Sequence, residues 1–139
     1  MSKVAVVFWS GTGNTEMMAN AVADGAKGAG ADVSVYGCEF TADNLKEADA
    51  VAFGCPAMGA EVLEEGEFDP MFTSIEAGLA GKKVALFGSY GWGDGQWMRD
   101  WEDRVSSDGG QLVTESVMAN NTPDDSALSD CQALGAALA

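Results

Sequence analysis

Val4-Ala5-Val6-Val7-Phe8 runs without a break into Trp9-Ser10-Gly11-Thr12-Gly13-Asn14-Thr15, and then into Glu16-Met17-Met18-Ala19-Asn20-Ala21-Val22-Ala23. The first run is continuously apolar, the pattern of a parallel strand buried on both faces. The last has helical spacing. The small polar residues between them sit where a strand ends and a helix begins. Free backbone N–H groups and the positive end of the helix dipole meet there, a ready site for an anion. The hydroxyls of Ser10, Thr12 and Thr15 and the amide of Asn14 add donors, and no Lys or Arg is present. Such a loop is a neutral, donor-only cradle for a phosphate, or else an ordinary Gly/Ser/Thr turn.

The same alternation continues down the chain. The spacing predicts strands over Val4–Trp9, Asp32–Tyr36, Ala50–Gly54, Lys83–Gly88 and Gln111–Met118. It predicts helices near Thr15–Lys27, Leu45–Ala48, Phe68–Gly78, Gln96–Ser106 and Ser126–Leu138. Strand and helix in turn imply an α/β fold, a doubly wound five-stranded parallel sheet with helices on both faces. Right-handed crossovers favour the flavodoxin-like order 2-1-3-4-5. Ligands in such sheets bind beyond the strand C-termini, at the switch point between strands one and three. The loops after strands one, three and four should meet there.

Composition narrows the function. A chain of 139 residues is expected to form a single domain over residues 1–139. Its 22 acidic and 7 basic residues give a net charge of −15. That charge argues against nucleic acid and anionic membrane and favours basic protein partners; salt adaptation would give a similar surface. The N-terminus shows no signal-peptide pattern, which points to the cytoplasm. Three cysteines, Cys38, Cys55 and Cys131, lack metal spacing and read as buried reduced thiols. Histidine, the commonest general base and zinc ligand, is absent.

The loop after Phe8 lacks the Lys-Ser/Thr of a Walker A loop and the third glycine of a dinucleotide fingerprint, because Asn14-Thr15 and Glu16 stand there. It resembles the FMN-phosphate loop of flavodoxins. Two further stretches resemble the flavin loops of the short-chain flavodoxins of anaerobes. They are Gly54-Cys55-Pro56-Ala57-Met58-Gly59-Ala60-Glu61 and Ala85-Leu86-Phe87-Gly88-Ser89-Tyr90-Gly91-Trp92-Gly93-Asp94-Gly95. All three switch-point loops are thereby matched in order. Pro56 stands where some members carry Ser, and Ala60 where others carry Gly, Asp, Asn or Ser.

The resemblance implies FMN as cofactor, with Ser10, Gly11, Thr12, Gly13, Asn14 and Thr15 around its phosphate. It places the ring between Met58 and Trp92, within the loops Pro56 to Glu61 and Ser89 to Gly93. It makes the Glu61 carboxylate the acceptor of the flavin N3–H, brings backbone of Ser89, Tyr90 and Gly91 to the pyrimidine side, and brings Asn121 near the cofactor. The peptide after Gly59 would turn over on reduction, with Ala60 resisting a positive φ. The implied function is a low-potential one-electron carrier passing between oxidised, neutral semiquinone and hydroquinone forms, without a substrate site. The implied partners are basic reductases and oxidoreductases that otherwise use ferredoxin, met by a monomer. An FMN-dependent NAD(P)H:quinone reductase on the same fold is the alternative.

Other residues read more simply. Trp97, Trp101 and Val105, with Met98, make an i, i+4, i+8 stripe expected in the core. Trp9 fits either core or rim. Glu64, Glu65, Glu67 and Asp69 read either as a solvated loop or as a docking patch.

Overall fold

A computed structural model describes residues 2–59, 61–91 and 93–139. Its elements are β1 (Lys3–Phe8), α1 (Asn14–Gly28), β2 (Asp32–Tyr36), α2 (Ala42–Glu47), β3 (Ala50–Gly54), α3 (Phe68–Ile75), β4 (Lys83–Tyr90), α4 (Gln96–Ser107), β5 (Gln111–Leu112), β6 (Val117–Asn120) and α5 (Asp125–Leu138). The strands are parallel in the order β2-β1-β3-β4-β5, as expected, and β6 also pairs with β4.

The fifth position departs from the expectation. One continuous strand over Gln111–Met118 is replaced by β5 and β6 in line, making six strands rather than five. Pairing moves from Leu112 opposite Val84 to Val117 opposite Phe87. Five residues thus advance against three, and two are looped out. An even insertion preserves the side-chain faces, because strand periodicity is two. The Ser116 hydroxyl, within the looped segment, donates to Glu102 Oε2 at 2.8 Å.

Strand periodicity sorts the core into two faces. Val4, Val6, Ala50, Ala52, Ala85 and Phe87 face α1 and α5, while Ala5, Val7, Val51, Phe53, Val84 and Leu86 face the other way. The second face is aromatic: Phe53, Phe68, Phe72 and Trp101 stack edge-on or in parallel. The first is built of small residues, and α1 meets α5 at Gly25 and Gly135, where a Cβ would strike backbone. Trp97, Met98, Trp101 and Val105 are all buried, as their spacing predicts. α2 begins earlier than expected because Thr41 and Asn44 form a capping box.

Candidate functional site

Register brings the strand C-termini level: Phe8 lies opposite Gly54, Gly54 opposite Phe87, and Tyr90 opposite Asn120. Four loops therefore emerge at one edge. They enclose a cleft of about 180 Å³ lined by Thr12, Asn14, Pro56, Ala57, Ser89, Tyr90, Gly91 and Asn121. Every lining residue is among those expected at the site from sequence.

At one end stands the start of α1. Gly13 takes φ 93° at the N-cap, a left-handed conformation that glycine adopts without steric cost. Ser10 Oγ accepts from the N–H groups of Gly13 at 3.1 Å and Glu16 at 3.3 Å. Met17 N–H bonds to Gly13 O. Among the described residues, the N–H groups of Gly11, Thr12, Asn14 and Thr15 donate to no protein acceptor. Unpaired N–H groups at a helix N-terminus fit an anion. Trp9 is half-buried and lies beneath the loop, 3.0 Å from where a Gly11 Cβ would stand. Thr15 is buried, its hydroxyl 3.1 Å from that of Ser89.

The other end is the loop from Cys55 to Glu64. Its base is tied at four points: Cys55 N–H to Phe87 O, Ala57 N–H to Ser89 O, Glu64 N–H to Cys55 Sγ, and Trp97 Nε1–H to Cys55 O. At the crown, Glu61 N–H bonds to Met58 O at 2.8 Å, closing a four-residue turn, and Met58 N–H bonds to Val62 O. Glu61 itself has φ 53°. Gly59 is exposed, and space is open where its Cβ would stand. Ala60 and Trp92, expected at the turn and on the ring face, lie outside the described residues.

Not every expected residue lines the cleft. Met58, Gly59 and Gly93 stand beside it, and Glu61 lines an adjoining hollow with Trp97, Asp100, Trp101 and Arg104. Glu61 Oε1 is buried beneath Gly93, where a Cβ would collide with it, and has no hydrogen-bond partner among the described residues. A buried acceptor without a donor fits a ligand that brings an N–H. The carbonyls of Ser89 and Tyr90 already accept from Ala57 and Asn121. Gly91 N–H donates to no protein acceptor among the described residues.

The acidic cluster resolves into different tasks. Glu64 caps α3, accepting from the N–H groups of Gly66, Glu67 and Phe68 at 2.7–2.8 Å. Desolvation pushes its carboxyl up, but the donors from Phe68, Glu67 and Gly66 together hold it below the ordinary glutamate value. Asp69 and Glu76 grip Arg104 at 2.9 Å each, and Arg104 also lies over the Phe72 ring. Only Glu65 and Glu67 are left without such a bond among the described residues. The cysteines are free; Cys55 and Cys131 are buried as expected, whereas Cys38 is only half-buried, and burial pushes the thiols of Cys55 and Cys131 up to about 12, which makes them inert.

The sequence reading missed two contacts here. Trp97, read as core alone, also holds the Cys55–Glu64 loop through its indole N–H. The Thr15–Ser89 hydroxyl pair spans 74 residues, and no local pattern announces it.

A parallel sheet carrying a donor-only anion cradle and a second loop at its switch point defines a nucleotide-binding α/β protein. Flavodoxin is the family whose model matches residues 6–135. The chain is 47% identical to the flavodoxin of Clostridium beijerinckii over 135 residues, covering 96% of this chain and 97% of that one. It is also 47% identical to the flavodoxin of Megasphaera elsdenii over 137 residues, covering 98% of each. The solution structure of two-electron reduced Megasphaera elsdenii flavodoxin superposes with a TM-score of 0.90, at 44% identity and 97% coverage of both chains. The chain belongs to the flavodoxin family, FMN-containing electron carriers.

Proposed function

We propose that this chain carries single electrons at low potential on FMN held in the cleft between Ser10–Thr15 and Ser89–Gly91. The observation that carries the reading is the cleft itself, whose eight lining residues stand at four strand ends and the segments that follow them, and whose cradle has N–H groups unpaired among the described residues and no cation. Ser10, Thr12, Asn14, Thr15 and the N–H groups of Gly11 and Gly13's successors would bind the phosphate. Pro56, Ala57 and Met58 would cover one side of the ring, with Gly59, Ala60, Gly93 and Trp92 completing the loops around it. Glu61 would accept the ring N3–H with its orphaned oxygen, and Tyr90 and Asn121 would close the rim. When bound, FMN supplies the electron chemistry, and the protein supplies binding, orientation and field.

The field favours a strong reductant. All five lysines stand at the opposite end of the sheet from the cleft: Lys3 and Lys83 begin strands, Lys82 precedes β4, and Lys27 and Lys46 end helices. The two arginines, both on α4, are neutralised by Asp94, Asp69 and Glu76. The cleft end therefore has no lysine, while Glu16, Glu61, Glu64, Glu65 and Glu67 stand on or beside its loops, and their charge opposes added electron density. The same asymmetry would steer a basic redox protein to the cleft and repel nucleic acid and anionic membrane. No helix among the described residues is long and apolar enough to cross a membrane.

Cofactor extraction and chromatography test the reading. FMN at one per chain, with no FAD, is the expected result, together with no steady NADPH oxidation by the protein alone. Recovery of FAD, or failure of the apoprotein to take up FMN, would overturn it.

A further inference from the structure

Ser89 is the penultimate residue of β4, is 4% exposed, and directs its hydroxyl at Thr15 Oγ1, 3.1 Å away and itself 1% exposed. Either hydroxyl can donate in that pair. The two orders differ in what Thr15 offers to the cradle. If Thr15 donates to Ser89, its proton is spent and it shows the cradle only lone pairs. If Ser89 donates to Thr15, the Thr15 proton is free to point outward. Ser89 Oγ has no other hydrogen bond among the described residues, so nothing else fixes its proton. Ser10 is in the matching position: Oγ accepts two N–H bonds, which fill its lone pairs and leave its proton to donate.

We propose that the Ser89 side chain is a positioning residue for phosphate, donating to Thr15 so that Thr15 donates to the phosphomonoester. The inference rests on the reading of Ser10–Thr15 as the phosphate cradle. It assigns Ser89 to the phosphate end through its side chain, while its carbonyl holds Ala57 of the other loop at 2.9 Å. One residue then ties both ends of the cleft. Without a ligand the pair keeps its one hydrogen bond, because Thr15 can donate back to Ser89. Each hydroxyl oxygen then has a partner in either state, while the second proton gains an acceptor only when the phosphate is bound.

The test compares FMN with riboflavin, which lacks the phosphate, in titrations of the full-length apoprotein followed by flavin fluorescence. Ser89→Ala is expected to weaken FMN roughly 3-fold, the scale of one neutral hydrogen bond, because the bond it removes orients the Thr15 donor and does not itself reach the phosphate. Riboflavin affinity is expected to fall by clearly less, so that the FMN-to-riboflavin affinity ratio drops. In a Thr15→Val background the same substitution should cost nothing further, because the hydroxyl it orients is gone. Ser89→Cys keeps the volume and replaces a strong donor by a weak one, so it should lower the FMN-to-riboflavin ratio in the same direction even if Ser89→Ala folds poorly. Equal losses for FMN and riboflavin, or additive losses with Thr15→Val, would overturn the proposal while leaving FMN binding intact. A wild-type protein that binds riboflavin as tightly as FMN would overturn the phosphate cradle itself, and this inference with it.

Discussion

The two ends of the cleft are built by different means. The phosphate end is local. Gly13, Ser10 and the first turn of α1 fix one another within seven residues, and Trp9 supports them from below. The ring end is assembled from afar. The Cys55–Glu64 loop hangs from Phe87 and Ser89 on β4 and from Trp97 on α4. Its crown carries only two bonds of its own among the described residues. A locally closed turn keeps its shape wherever the chain places it, whereas a suspended loop follows its anchors.

The sharpest way to break that contrast is at Gly88. It lies on β4 where a Cβ would run into Cys55 O and approach Trp97 Cζ2 at 3.1 Å. The obstacle is backbone, so the ring loop must shift. Gly88→Ala is expected to cost about 2–3 kcal/mol in urea unfolding, in the range of core overpacking, and to weaken FMN and riboflavin together. A variant with full affinity for both would mean that β4 does not set the loop.

A matched pair of substitutions separates the ends. Ser10→Ala removes an acceptor for two N–H groups and should cost about 1 kcal/mol, as other caps do, with FMN weakened and riboflavin spared. Trp97→Phe keeps an aromatic ring but shrinks a fully buried side chain and leaves Cys55 O without its donor, a loss of about 2–3 kcal/mol. It should weaken both flavins alike. If each variant weakens both flavins to the same degree, the ends are not independent.

The smallest effect tests the far anchor of the ring loop, where Glu64 caps α3. A carboxyl held below its unfolded value stabilises fully above that value, near pH 4.5, and the contribution disappears as the pH falls through the folded value. Glu64→Gln should therefore melt lower than wild type at pH 7, by the equivalent of about 0.3–1 kcal/mol. The two melting curves should converge once the pH has fallen through the folded value, which lies below 4.5. A gap that persists at low pH would show that the cap acts through shape rather than charge.

Legibility followed the same division. The phosphate loop could be read from Trp9 to Thr15 because strand end, glycine turn and helix start are contiguous. The sheet order could be read because apolar runs alternate with helical spacing over the whole chain. The acidic stretch Glu64–Asp69 could not, since two of its carboxylates serve partners that the sequence does not mark: the N–H groups of α3, and an arginine 35 residues away. The split of the last strand was hidden too, because the pairing slips by two residues within Val113 to Ser116 with no glycine or proline there to mark a break.

By itself the sequence determined the α/β class, the strand order and the anion-binding turn, because periodicity, glycine conformation and helix starts are properties of neighbours along the chain. Only the tertiary structure decided that Ser89 meets Thr15, that Trp97 holds Cys55, and that Glu61 buries an oxygen with no protein donor among the described residues. Those contacts join residues as far as 74 positions apart. They depend on strand register and helix packing, which turn a list of loops into one cleft.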